Sequence, residues 1–158
     1  MGGAFTLYTA IKYPEVRAIA PIAAPVFLTQ KLLWLLPIVK RFITYFNAGH
    51  EIYIADKQMW NDPIILENMK RYDKLVVPCV DSLMFFLRQL KQQLHLINQP
   101  ILICHGKKDR YVTPKNAPYI YEHVNSKEKK LLLLENSDHC VTLDYDKEVL
   151  FDQITNFF

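Results

Sequence analysis

Two short apolar runs, residues 101–104 (ILIC) and 130–134 (KLLLL), each lead directly into a polar loop, and a helix-length segment separates them. Runs of this kind are typical of strands buried in a parallel sheet, whose connections must be long enough to hold a helix. A third apolar run, residues 16–24, is bounded by prolines. This alternation predicts an α/β fold with parallel strands and helices on both faces of the sheet.

The segments between these runs have the apolar periodicity of helices. In residues 79–97, apolar side chains recur every three or four positions with polar ones between them, which predicts an amphipathic helix packed on the sheet. The other segments predicted to be helical are residues 2–13, 27 to about 45, 114–124 and 147–158. Residues 47–75 have a mixed pattern that predicts no single element.

The composition is that of a globular domain, with 51% apolar, 13% aromatic and 22% charged residues. The net charge is +3, and a glutamate interrupts the densest basic run, residues 127–130, so we interpret that run as a solvated turn and expect no nucleic-acid binding. The apolar stretch 32–39 is far shorter than the roughly 20 residues of a spanning helix. We therefore expect a soluble, cytoplasmic protein with no transmembrane segment.

The cysteines, Cys79, Cys104 and Cys140, have no paired spacing, so the sequence indicates neither a disulfide framework nor a zinc site. Four further residues close in sequence are a conceivable metal site: Asp138, His139, Asp144 and Asp146. They form neither a glycine-centred calcium loop nor a paired-histidine motif, so we expect no metal. We expect no cofactor either.

Two loops that follow the predicted strands carry a carboxylate and a histidine. Asp109 lies three residues after Gly106 in the first loop (HGKKDRYVTP), and His139 lies in the second (ENSDHC). The interval between them has the length of one helix and one strand, so the two loops leave the sheet side by side. A buried aspartate there would fix the tautomer of the histidine and leave its other ring nitrogen free as a base. Ordinary surface residues of these types are also common, and the spacing alone does not decide between the two.

The pattern H-G-x-x-D-x-x-[VT]-x-P after a strand, followed by a helix, a strand and [SN]-x-H, resembles the end of the α/β-hydrolase fold. The closest likeness is to the monoacylglycerol lipase and bacterial carboxylesterase group, and only about residues 26–78 match weakly. The resemblance implies the last three parallel strands of that fold with flanking helices and a helical cap insertion. It also puts Asp109 at the position of the catalytic acid and His139 at that of the catalytic base, in the family's chain order Ser, Asp, His.

The first residues resemble the segment that follows the nucleophile of this family. The family's elbow reads G-x-S-[ML]-G-G, and Met1-Gly2-Gly3 matches it from the residue after the serine onward. The resemblance implies that the backbone N–H of Met1 holds an oxyanion-hole position and that the nucleophile is absent from this chain. We accordingly expect Met1 to be an internal methionine of a longer protein.

The resemblance implies two parts, a partial hydrolase core formed by residues 1–25 and 98–158, and a helical cap with the helix returning to the core formed by residues 26–97. Apolar and aromatic side chains are concentrated in residues 27–46 of the cap. They have to pack the cap onto the core, and some could also line a pocket. We therefore expect the substrate to be a small-molecule ester with an apolar acyl group.

By this resemblance the full-length protein is a carboxylic ester hydrolase that works through an acyl-enzyme, whereas we expect this chain alone to be inactive. Two alternatives stay open: a peptidase or other hydrolase on the same fold, since the fold does not specify the bond that is cleaved, and a non-catalytic binding module. A strand over residues 16–24 would also leave an apolar edge unpaired, so we expect self-association through that edge.

Overall fold

The structure of the protein is a computed structural model that describes residues 1–28, 41, 45–47 and 74–158. The helices are α1 (Gly2–Lys12), α2 (Val77–Gln93), α3 (Asn116–His123) and α4 (Lys147–Phe157). The strands are β1 (Tyr45–Asn47), β2 (Lys74–Val76), β3 (Ile101–Gly106) and β4 (Lys129–Leu134). Short 3-10 helices follow α2 at Leu94–Leu96 and precede α4 at Val141–Leu143.

The four helices predicted within these residues are confirmed, with shifted ends. Helix α2 begins two residues earlier than predicted, because Pro78 suits the first turn of a helix, where its missing N–H costs nothing. Its predicted last turn is the 3-10 helix Leu94–Leu96. Helix α3 begins at Asn116 instead of residue 114.

The centre of the sheet is the parallel pair β3 and β4, in register from Ile101 opposite Lys129 to Gly106 opposite Leu134. Every residue of β3 is buried. The prediction that 130–134 is equally buried is wrong, because only Leu134 is buried and the preceding leucines are half-buried. Within the described residues β4 has a strand partner on one side only, which leaves its side chains partly open.

Residues 16–24 lie on the other side of β3 and run parallel to it. They form two isolated bridges, Ile19 with Ile101 and Ile22 with Cys104, instead of the continuous strand predicted. The amide of Cys104 donates to the carbonyl oxygen of Pro21 at 3.0 Å, but Pro21 itself has no N–H to return. A proline in the middle of the segment therefore limits the ladder, and the order across the sheet is residues 16–24, β3, β4.

Helices cover both faces of this sheet, as predicted. On one face α1, α2 and α3 pack on Ile101 and Ile103 of β3. On the other face α4 buries Leu150 against Leu102 and Cys104. Burial of Cys104 raises the pKa of its thiol to about 12, so this cysteine stays protonated and behaves as a small apolar residue. The three layers confirm the predicted α/β architecture of parallel strands with helices on both faces.

The predicted cap lies mostly outside the described residues, and the apolar stretch 32–39 lies wholly outside them. Where the structure describes the ends of this region, β1 and β2 form an antiparallel pair with Tyr45 opposite Val76. Tyr45, predicted as about the last residue of a helix, is therefore the first residue of a strand. The division into residues 1–25, 98–158 and 26–97 stays a prediction. No helix within the described residues has the length and apolarity to cross a membrane.

Candidate active site

Gly106, the last residue of β3, brings the two predicted loops together. A Cβ on Gly106 would overlap the carbonyl oxygen of Ser137 and lie 2.5 Å from that of Asp138. The amide of Lys108 donates to that same Ser137 oxygen at 3.1 Å. Only glycine allows backbones to approach this closely, so the H-G pair in the sequence is where the loop after β3 meets the loop after β4.

Asp109 and His139 meet at this junction. Nδ1 of His139 lies 2.8 Å from Oδ2 of Asp109, and the histidine side chain is 21% exposed while the aspartate side chain is fully buried. The other oxygen, Oδ1, accepts the amides of Tyr111 at 2.9 Å and Val112 at 2.8 Å. Because a carboxylate is an acceptor, the bond to His139 requires Nδ1 to carry its proton and leaves Nε2 as the basic nitrogen.

The surroundings of Asp109 keep it ionised. Burial by itself would raise the pKa of this carboxyl, but hydrogen bonds from His105, His139 and the Val112 amide outweigh burial and hold the pKa well below its usual range. A charged, fully hydrogen-bonded carboxylate beneath a partly exposed histidine is suited to stabilise a protonated imidazole.

Asp138 links the histidine loop to the loop that carries Asp109. Its Oδ1 accepts the amides of His139 at 2.8 Å and Arg110 at 3.3 Å, and its Oδ2 lies 3.6 Å from Nε of Arg110. Burial, together with the nearby charge of Asp109, raises the pKa of the Asp138 carboxyl above its usual value. No sequence pattern predicts this role, because it depends on the contact between the two loops.

Two further carboxylates hold the histidine loop in place. Oδ2 of Asp146 accepts the amide of Asn136 at 2.7 Å and the hydroxyl of Ser137 at 2.9 Å. Oδ2 of Asp144 accepts the amide of Asp138 at 2.8 Å. The three aspartates weighed as metal ligands thus serve as acceptors for loop groups, and His139 contacts Asp109. Among the described residues, no three histidine, cysteine or acidic side chains are grouped to hold a metal ion.

Met1 lies directly before α1, and its carbonyl oxygen accepts the amides of Ala4 and Phe5. Helix α1 begins against the end of the segment next to β3, since a Cβ on Gly3 would lie 2.5 Å from the carbonyl oxygen of Ile22. Ile22 pairs with Cys104 near the end of β3, so α1 begins at the edge of the sheet where both loops emerge. The oxyanion-hole position of Met1 stays a prediction.

Within the described residues, none of the three serines has a hydrogen bond to a histidine. Ser82 donates to the carbonyl oxygen of Pro78, Ser126 to that of Glu128, and Ser137 to the Asp146 carboxylate. Each hydroxyl completes a local turn or helix contact. The structure therefore assigns these serines to local hydrogen bonding.

The protein family described as serine aminopeptidase, S33 matches residues 1–146. The chain belongs to this family of α/β hydrolases. A thermostable monoacylglycerol lipase of Bacillus sp. (strain H-257) is 31% identical over 161 residues, covering 100% of the chain and 59% of the lipase. A carboxylesterase of Bacillus subtilis (strain 168) is 21% identical over 157 residues, covering 99% of the chain and 60% of the esterase.

A solved structure from work on the metagenome-derived lipolytic enzymes LipS and LipT has a TM-score of 0.79 and 28% identity to this hydrolase-family chain. The match covers 99% of the chain and 61% of the solved one. The predicted membership of the monoacylglycerol lipase and esterase-like group of α/β hydrolases is thereby confirmed. The hydrolase-family chain spans about three fifths of the length of these relatives.

Proposed function

We propose that the chain supplies the acid and the base of a serine hydrolase that cleaves carboxylic esters, with Asp109 as the acid and His139 as the base. The observation that carries the proposal is the 2.8 Å contact between Oδ2 of Asp109 and Nδ1 of His139. This contact orients the imidazole, and the low pKa of Asp109 keeps the orienting charge in place throughout the neutral pH range.

In the proposed reaction, a serine hydroxyl gives its proton to Nε2 of His139 as its oxygen attacks the ester carbonyl carbon. Asp109 stabilises the imidazolium that forms. The imidazolium then returns the proton to the leaving alcohol as the carbon–oxygen bond breaks, which leaves an acyl-enzyme. Water attacks the acyl-enzyme with His139 as the base, releasing the carboxylic acid and restoring the serine.

The nucleophile of the proposal is not Ser82, Ser126 or Ser137, because each hydroxyl donates to an acceptor of its own. We place the nucleophile in sequence preceding Met1, with the Met1 amide at the oxyanion-hole position. On this proposal the 158-residue chain has no turnover of its own. Removal of a single triad member already lowers turnover by orders of magnitude.

The proposed substrate is a small ester with an apolar acyl group, in keeping with relatives named as a monoacylglycerol lipase and a carboxylesterase. A peptidase is the second candidate, because the family that matches the chain is described as a serine aminopeptidase. The Asp–His geometry serves both reactions equally, since it moves a proton and does not contact the group that is cleaved.

The test begins with the DNA upstream of the Met1 codon. We expect an open frame that encodes G-x-S directly before Met1, and the protein it encodes should hydrolyse p-nitrophenyl butyrate and 1-monoacylglycerols. Activity should fall by about 10³-fold or more in Asp109→Asn and His139→Ala. Faster turnover of aminoacyl p-nitroanilides than of esters would favour the peptidase. Turnover by the 158-residue chain that is lost in His139→Ala would contradict the proposal.

A further inference from the structure

A second histidine lies beneath the Asp109–His139 pair. His105 is 1% exposed, and its Nε2 lies 3.1 Å from Oδ2 of Asp109, the same oxygen that contacts Nδ1 of His139. The same Nε2 lies 2.9 Å from the carbonyl oxygen of Val112. The sequence pattern predicts His105 as the first residue of the loop, but it belongs to β3, which anchors its ring.

These contacts specify the tautomer of His105. A carboxylate oxygen and a peptide carbonyl oxygen are both acceptors, so Nε2 must carry the proton that lies between them. The other nitrogen, Nδ1, is buried and has no hydrogen-bond partner among the described residues. Burial of an unpaired ring nitrogen costs free energy, so packing alone does not explain a histidine at position 105.

We propose that His105 is a positioning residue for the Asp109–His139 pair, holding Oδ2 of Asp109 with its Nε2–H so that the carboxylate keeps the rotamer that meets Nδ1 of His139. The inference rests on the proposed function, because it assigns a purpose to the pair. His105 contacts the acid and not a reacting atom, so it acts through Asp109.

The geometry explains why one carboxylate needs so many donors. Two backbone amides hold Oδ1 of Asp109, but without His105 the only donor on Oδ2 among the described residues is His139 itself. During the proposed reaction His139 gains and loses a proton, and its contact with Oδ2 changes with each step. A second donor that does not take part in proton transfer keeps Oδ2 in place meanwhile.

In the part of the chain that the structure describes, the other charged or polar groups that face this pair are on the same two loops. Asp138 neighbours His139 and pairs with Arg110, and the ring of Tyr111 lies 5.8 Å from that of His139. Arg110 and Asp138 do not replace His105, since neither donates to Oδ2 of Asp109. Removal of His105 therefore takes away a contact that these two neighbours do not supply.

The first measurement uses the unmodified 158-residue chain. Nitrogen-15 NMR at about pH 8.5, above the ordinary histidine titration range, reports which ring nitrogen carries the proton. We expect His105 as the Nε2–H tautomer and His139 as the Nδ1–H tautomer. A His105 ring with its proton on Nδ1 would overturn the proposal, because Nε2 would then face two acceptors with no proton.

The second measurement follows the Asp109 carboxyl carbon by NMR as the pH is lowered. In His105→Phe the Asp109 pKa should rise by roughly one toward the ordinary aspartate value, because a donor to the charged form is lost. His105→Gln puts an amide N–H near the position of Nε2 and should keep the Asp109 pKa close to that of the unmodified chain. An unchanged Asp109 pKa in His105→Phe would contradict the inference. A rise of the Asp109 pKa in His105→Gln equal to that in His105→Phe would contradict it as well.

His123→Gln is the matched control, since His123 contacts the carbonyl oxygen of Tyr119 at 2.8 Å and is exposed. This variant should leave the Asp109 pKa unchanged. Neither NMR measurement depends on turnover, so the two proposals can fail separately. Absence of esterase activity in the protein that includes the upstream sequence, with the expected tautomers, would remove the hydrolase function and keep the contact. Activity of that longer protein with the wrong His105 tautomer would remove only the role of His105.

Discussion

The backbone at Gly106 lies so close to Asp138 that an added Cβ would come within 2.5 Å of the Asp138 carbonyl oxygen. This approach brings the loop of Asp109 against the loop of His139. Both loops carry other contacts, but here the two backbones touch directly. The geometry of the acid–histidine pair therefore depends on position 106 having no side chain.

We predict that Gly106→Ala destabilises the chain by about 1–3 kcal/mol, the usual cost of overpacking, because backbone and not a flexible side chain blocks the added methyl. Denaturant unfolding followed by circular dichroism measures this loss. Gly2→Ala is the control, since nothing lies within 4 Å of a Cβ there and alanine favours the helix that Gly2 begins. Equal stability of the two variants would show that the loops separate freely.

Asp109 should make the free energy of unfolding depend on pH in the acidic range. Its folded pKa is lowered, so its contribution is complete above the pKa of an unfolded aspartate and is lost as the pH falls toward the lowered folded value. We expect Asp109→Asn to cost about 1.5–3 kcal/mol at pH 7, the range for hydrogen bonds to charged groups, and progressively less below about pH 4. Unfolding free energies measured at a series of pH values for both proteins test this.

Asp138→Asn is the comparison of opposite sign. The folded pKa of Asp138 is raised, so its charge costs stability, and that cost grows as the pH rises from the unfolded value to the folded one. The asparagine keeps an oxygen for the amides of His139 and Arg110. Its stability relative to the unmodified chain should therefore improve with rising pH in that window. The stability of Asp109→Asn should instead worsen with rising pH at lower pH, between the lowered folded pKa of Asp109 and the unfolded value, and then stay constant. Parallel pH profiles for the two variants would contradict both assignments.

Asn116 fastens the chain where it leaves the core toward the predicted cap. Its buried Oδ1 accepts the amides of Val26 at 2.8 Å and Phe27 at 3.0 Å. Asn116→Ala leaves both amides without this acceptor and should cost about 2–4 kcal/mol. Asn125→Ala, at an exposed asparagine that donates to the carbonyl oxygen of His95, should cost less than about 1 kcal/mol. Thermal unfolding of the two variants side by side gives the difference.

Ala23 has a φ of 47°, a left-handed conformation that costs alanine roughly 1–2 kcal/mol. Ala23→Gly removes this strain but increases the freedom of the unfolded chain, so we expect a net gain of about 0.5 kcal/mol. Ala24→Gly, at a buried neighbour without positive φ, should instead cost about 1 kcal/mol. Loss of stability in both variants would mean that the Ala23 methyl packs better than its strain costs.

Local pattern was enough to predict most of the elements. Buried strands and amphipathic helices repeat their apolar side chains with periods that are properties of the backbone, so β3, α2 and α4 were visible in the sequence. The predictions were wrong where strand pairing and burial depend on neighbouring segments. Residues 16–24 read as a strand, but Pro21 has no N–H to complete the ladder, and the leucines of β4 are half-buried because β4 lacks a second strand partner among the described residues.

The residue types and the chain order of the site could be predicted from the amino-acid pattern, with Asp109 in one exit loop and His139 in the next, because parallel strands send successive loops to one edge. The contact of one Asp109 oxygen with two histidines, and the link that Asp138 makes between the loops, became apparent in the folded protein. A hydrogen bond depends on tenths of an ångström and on direction, whereas spacing along a chain specifies neither. The packing of Gly106 against the histidine loop sets both the distance and the direction of these hydrogen bonds.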